Sequence, residues 1–176
     1  LYIVSGGNEF EPNTPILKDR IYVNNGNGSL KYIENAIPDN YSSGMRLSHA
    51  DYDQDGDIDL FVGGRLVPGS YPLPADSFLL ENISTSDGIK FINTDKSNFP
   101  FRDIGLVTSS VWTDYNNDDW IDLIVVGEWT PVRFFKNLEG KFSEDTSMID
   151  SDSTRGWWYD IVSEDFDQDG DMDLVI

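Results

Sequence analysis

The sequence predicts an all-β chain assembled from the four-stranded antiparallel blades of a β-propeller. Three observations predict it: an acidic nine-residue loop that recurs three times, a β-rich aliphatic run after each loop, and a hairpin signal at a constant place in each repeat. The loops are Asp51–Asp59, Asp114–Asp122 and Asp165–Asp173, and the runs that follow open on Leu60, Leu123 and Leu174. These leucines stand 63 and 51 residues apart. Leu1 lies 59 residues before Leu60, so Leu1 to Gly7 takes the same place in a repeat whose own loop is expected upstream. Periods of this length holding four short strands each fit propeller blades.

Each strand of the repeat has its own signature. The first runs into the acidic loop, as Val107 to Trp112 and Trp158 to Val162 do, and it is rich in small residues: Ser48 and Ala50, Ser109 and Ser110, Ser163. Crowding near a propeller axis would require such residues. The second strand is apolar on both faces, with Ile121, Leu123 and Val125 on one and Ile124 and Val126 on the other. A sheet with one wet face would alternate instead, so the pattern predicts blades stacked face to face. The third strand is marked by two apolar residues, a polar one and Asn: Tyr22-Val23-Asn24-Asn25, Leu79-Leu80-Glu81-Asn82 and Phe134-Phe135-Lys136-Asn137. A Gly-bearing turn then leads to a fourth strand opening on Lys and an aromatic: Lys31-Tyr32, Lys90-Phe91, Lys141-Phe142. The expected units are residues 1–42 (the last three strands of a blade), 43–100 and 101–150 (complete blades), and 151–176 (the first two strands of another). A closed propeller needs about four or more blades, so the chain is expected to be stable only with the remaining blades of a longer parent chain.

Composition narrows the function classes. Lys and Arg number 12 against 32 Asp and Glu, a formal net charge of −20, and that field repels a phosphate backbone, which makes nucleic acid a poor partner. No run approaches the roughly 18 apolar residues of a membrane span. The absence of Cys excludes a disulfide framework, a zinc thiolate site and a Cys nucleophile. With 5 Trp, 8 Tyr and 10 Phe the chain is too aromatic for a disordered acidic tail, so a packed core is expected.

The acid itself is concentrated: 14 of the 32 carboxylates fall in the three loops. So many negative charges in one tight turn repel unless a cation sits among them. Carboxylates at loop positions 1, 3, 5 and 9 with a backbone carbonyl at 7 supply hard oxygen ligands, which is calcium chemistry. Position 6 must turn sharply, which Gly56 and Gly170 allow and Asp119 tolerates with some strain. Asn116 at position 3 also removes one charge, so the middle loop is expected to be the weakest of up to three calcium sites. An EF-hand is excluded, because its position 12 needs Glu and here holds Val62, Val125 and Ile176 between strands rather than helices.

Loops of the form Asp-x-Asp-x-Asp-Gly-x-x-Asp-Leu between blade strands resemble the FG-GAP/VCBS repeats of integrin-α-type propellers. The stretches Gly63 to Gly69, Tyr71-Pro72-Leu73-Pro74 and Gly156-Trp157-Trp158 are similar to the cartilage-acidic-protein-like secreted branch. The resemblance implies a seven-bladed propeller, an extracellular or cell-surface setting, and calcium held by specific residues. The carboxylate and amide ligands it implies are Asp51, Asp53, Asp55 and Asp59; Asp114, Asn116, Asp118 and Asp122; and Asp165, Asp167, Asp169 and Asp173. Asp57, Trp120 and Asp171 would add backbone carbonyls.

The function expected is therefore a non-enzymatic, calcium-stabilised binding or adhesion scaffold with an extracellular protein or glycan as ligand. The alternative is the substrate platform of a secreted polysaccharide-active enzyme, whose acid–base carboxylates would lie outside the loops. The lone His49 beside a loop is read as structural. Long loops on a rigid scaffold often carry binding, which singles out Arg65 and Tyr71. Trp129, Trp157 and Trp158 join them as rings able to stack on a sugar or to pack between blades.

Overall fold

The computed structural model describes residues 1–94, 100–150 and 152–176 of the chain. Strands β1 (Tyr2–Ile3), β2 (Arg20–Asn24) and β3 (Leu30–Tyr32) form a three-stranded antiparallel sheet, with a short 3-10 turn at Pro15–Leu17 between the first two. Strands β4 (Ser43–Ala50), β5 (Asp59–Leu66), β6 (Phe78–Asn82) and β7 (Phe91–Asn93) then make a four-stranded meander in chain order. The same meander recurs in β8 (Leu106–Thr113), β9 (Asp122–Thr130), β10 (Arg133–Asn137) and β11 (Phe142–Glu144). Strand β12 (Gly156–Trp157) pairs with the end of β9, and β13 (Val162–Glu164) with β14 (Asp173–Val175) forms a final ribbon. The all-β, antiparallel architecture expected from the repeat is what the chain adopts, and its blades are those of a partial propeller.

The core explains why the second strands are apolar on both faces. On β5, Leu60 and Val62 pack with Ile21, Ile37, Leu80 and Phe91, joining the first sheet to the second. The alternate residue Phe61 points the other way, with Leu79, Phe101, Leu123, Val125 and Phe135, joining the second sheet to the third. On β9 the alternation repeats, and Ile124 and Val126 meet Phe134, Ile161 and Leu174 toward the last ribbon. Period-two alternation thus feeds two hydrophobic layers instead of one layer and solvent. Phe61, Leu123, Ile124 and Phe135 are each fully buried, so truncating one to Ala costs about 2–5 kcal/mol.

The first strands are narrow for a reason. The hydroxyls of Ser48 on β4 and Ser110 on β8 lie 2.7 Å apart, and Ser163 on β13 donates to the Thr113 hydroxyl at 3.2 Å. Gly63 of β5 would drive an added Cβ to 2.5 Å from Val107 of β8, so a larger residue would push neighbouring sheets apart. The last first strand differs from the sequence expectation: it begins at Val162, four residues after Trp158. The Trp158 indole donates to the Thr154 carbonyl, Asp160 takes the Ser109 hydroxyl and the Ile161 amide, and Ile161 is buried. The Trp158 amide still reaches the Gly127 carbonyl of β9 at 3.2 Å, and these side-chain anchors hold residues 159–161 out of the ladder.

Candidate functional site

The three acidic loops share one local geometry, built by their own side chains. The amide at position 6 donates to the carboxylate at position 1: Gly56 to Asp51 at 3.0 Å, Asp119 to Asp114 at 2.8 Å, Gly170 to Asp165 at 3.1 Å. The amide at position 7 donates to the side chain at position 5, from Asp57, Trp120 and Asp171 to Asp55, Asp118 and Asp169. Position 6 has φ of +94° at Gly56, +68° at Asp119 and +98° at Gly170, the left-handed turn the spacing calls for. Position 4 is left-handed as well, at Gln54, Asn117 and Gln168, which sequence reasoning did not anticipate. The first two bridge loops: the Gln54 amide donates to the Asp119 carbonyl at 2.8 Å, and the Asn117 amide to the Asp171 carboxylate at 3.2 Å.

In the loop at 51–59, oxygens of Asp51, Asp53 and Asp59 lie within 4.8 Å of one another. The Asn82 amide nitrogen satisfies one oxygen of Asp59 at 2.7 Å. The other Asp59 oxygen, Oδ2, is buried without a hydrogen-bond partner, and so is Oδ1 of Asp51. Burial pushes the Asp59 carboxyl up to about 7, with the charges of Asp53 and Asp55 adding to it against the Asn82 hydrogen bond. Asp53 is raised too, by burial and then by Asp55. Buried carboxylate oxygens left unpaired cost free energy that a hard cation with six to eight oxygen ligands would recover. These residues therefore fit a calcium ion.

The loop at 114–122 has the same turn with different neighbours, and its Asp118 amide also donates to Asp114 Oδ1 at 3.1 Å, the oxygen that is unpartnered on Asp51. The Lys136 ammonium sits 3.0 Å from Asp118 and 3.5 Å from the Asn116 side-chain oxygen. The Asn116 amide donates to Asp122 Oδ2 at 2.7 Å, occupying the oxygen that is orphaned on Asp59. Asn137 satisfies the other Asp122 oxygen at 2.7 Å, as Asn82 does for Asp59. Burial pushes Asp122 up, here to about 6. Burial would raise Asp118 also, but the hydrogen bond from Lys136 holds it below the usual carboxylate range. A protein cation and an amide already do part of what an ion would do. In the loop at 165–173 the ligand-rich pattern returns, with oxygens of Asp165, Asp167 and Asp173 within 4.8 Å of one another.

A family model described as FG-GAP-like repeat matches residues 1–62 and again residues 114–176, together more than half of the chain. The chain belongs to the FG-GAP-like repeat family. No curated protein matches it. In this FG-GAP-like chain no described helix is long and apolar enough to cross a membrane.

At the opposite end of β5 and β9 from the loops, four of the five candidate contact residues come together. Arg65 donates through Nε to Glu128 at 2.9 Å, and its Nη2 pairs with the same oxygen. The Tyr71 hydroxyl reaches the second Glu128 oxygen at 3.3 Å and accepts from the Trp129 indole at 2.7 Å. Trp129 packs on Trp157 with ring centroids 4.7 Å apart, and Trp157 lies nearly parallel to Tyr159 at 6.5 Å. Trp158 is not part of this group: it packs with the Ile124, Val126 and Ile161 cluster. Glu128 and Tyr159 were not singled out from the sequence. A Glu closing the aliphatic run Leu123 to Gly127 was the available signal for the first, since a buried carboxylate needs a partner. His49, on β4, is exposed.

Proposed function

We propose that this chain is part of a calcium-stabilised extracellular β-propeller that serves as a binding scaffold. The observation that carries this reading is the pair of buried, unpartnered carboxylate oxygens on Asp51 and Asp59 within one three-carboxylate cluster. Asp51, Asp53, Asp55 and Asp59 with the Asp57 carbonyl would hold one ion. Asp165, Asp167, Asp169 and Asp173 with the Asp171 carbonyl would hold another. Asp114, Asn116, Asp118 and Asp122 with the Trp120 carbonyl form the weakest site, because Lys136 competes for Asp118. The ion neutralises the turn and ties the first strand to the second; it supplies no reactive centre. We assign the chain to the secreted, cartilage-acidic-protein-like branch on its Gly63 to Gly69 and Gly156-Trp157-Trp158 segments.

Thermal melting of the full-length protein in calcium and in chelator tests the reading. Binding to the folded state alone adds RT ln(1 + [Ca]/Kd), about 2.7 kcal/mol per site at a hundredfold excess over Kd. A lower midpoint in chelator, restored by calcium, is expected. An unchanged midpoint overturns it.

A further inference from the structure

The aromatic group at the far end of β5 and β9 has the construction of a ligand shelf. Tyr71, Trp129, Trp157 and Tyr159 are 46%, 54%, 44% and 70% exposed, although large rings at a packed surface are normally covered. Beneath them Glu128 is buried, its side chain 2% exposed, and is held by Arg65 and Tyr71. Trp129 is held in a conformation that bulky residues avoid, at φ +59°. Its carbonyl accepts from Arg155 at 3.0 Å and its indole is tied to Tyr71. Backbone strain that the surroundings hold in place in order to expose a ring is the kind found at binding sites. Arg65 also borders a cleft of about 330 Å³ lined by Gly6, Gly7, Ser43 and Gly44, at the small end of the range for ligand sites.

Area and charge select the occupant. Four aromatic side chains of about 150–250 Å² each, exposed to these fractions, present roughly 300–500 Å². That is roughly 40–60% of the roughly 800 Å² per partner in a standard protein interface. A net charge of −20 disfavours a polyanion. Arg155 beside the rings, and a Glu128 already neutralised by Arg65, disfavour a cation. A neutral ligand with flat apolar C–H faces and many hydroxyls matches both the rings and the polar rim. We propose that Tyr71, Trp129, Trp157 and Tyr159 form a stacking platform for a neutral oligosaccharide, positioned by the Arg65–Glu128 pair. The proposal gives the scaffold reading its ligand class, yet it uses none of the acidic loops, so chelator melting and sugar binding can fail separately.

The test uses the full-length protein on an array of neutral glucose-, mannose-, galactose- and N-acetylglucosamine-based hexasaccharides, with heparin as the sulfated control. Retention of at least one neutral glycan is expected, with a change in tryptophan fluorescence. Trp157→Ala and Trp129→Gly should each weaken it about tenfold or more. Trp129→Gly loses the indole's contacts with Tyr71 and Trp157 but frees a left-handed position from its side chain, so its melting temperature should fall only slightly while the sugar is lost. Failure to retain any neutral glycan overturns the proposal, as does retention of heparin alone or sugar binding that survives both substitutions. A large drop in the Trp129→Gly melting temperature also overturns it, because the indole would then be a packing element.

Discussion

Beside the loop at 51–59, the third strand of the sheet carries Glu81 immediately before Asn82; beside the loop at 114–122, the same place carries Lys136 immediately before Asn137. Position 3 changes with it, from Asp53 to Asn116, and so Asp59 keeps a buried, unpartnered oxygen where Asp122 has the Asn116 amide, and Asp118 gains an ammonium that Asp55 lacks. The amides at positions 6 and 7 bond alike in the two turns, but the position-5 amide goes to Asp114 in the second loop and to Asp53 in the first, which leaves Asp51 Oδ1 unpartnered. One fold of loop thus leaves the same electrostatic demand unmet in one copy and partly met by an internal cation in the other. Motif spacing sets the geometry; the residue facing it from the next strand sets the charge.

Converting the second solution into the first is the largest way to break this contrast. Lys136→Glu with Asn116→Asp recreates the surroundings of the first loop. The double variant should bind one more strong calcium than the parent by titration calorimetry, worth up to about 2.7 kcal/mol at a hundredfold excess over Kd. An unchanged stoichiometry would show that Lys136 does not decide occupancy. Position 6 gives a smaller effect. Gly56→Ala should cost about 1–2 kcal/mol, since an added Cβ meets nothing within 4 Å and only the left-handed φ opposes it. Asp119→Gly should stabilise by up to about 1 kcal/mol, because it removes the same strain while keeping the backbone bonds to Asp114 and Gln54. Denaturant melts of both variants in chelator check the opposite signs.

A separate effect is in pH. Asp59 near 7 and Asp122 near 6 both lie above the unfolded carboxylate range of about 4. Without calcium the folded state therefore holds protons that the unfolded chain has released, so stability falls as pH rises from about 4 toward 7. Asp59→Asn should flatten the upper part of that decline and Asp122→Asn the lower part. Chelator melts across this range that show neither change would contradict the burial described for these two carboxylates.

The fold was legible because its signals are local or periodic. The loop spacing, the Asn after the third strand and the two-faced aliphatic runs each state a requirement within about ten residues. Residues such as Ser48 and Ser110 were readable as narrow, although their 2.7 Å contact joins positions 62 apart. What escaped reading depends on register between separate elements. Lys136 reaches Asp118 only because β10 lies beside β9, and Glu128 finds Arg65 from 63 positions away. The late start of β13 was hidden too, since Trp158 to Val162 is as β-prone as a true strand, and the hydrogen bonds from the Trp158 indole to Thr154 and from Ser109 and the Ile161 amide to Asp160 prevail there.

Gln54 and Asn117 hand a hydrogen bond from each acidic turn to the one after it. The turns are thereby stitched into a rim outside the β ladders, so that an ion held in one turn would stiffen its neighbours as well as itself. A modest charge defect such as that at Asn116 can then be carried by flanking turns, much as a chain of clasps tolerates one loose link.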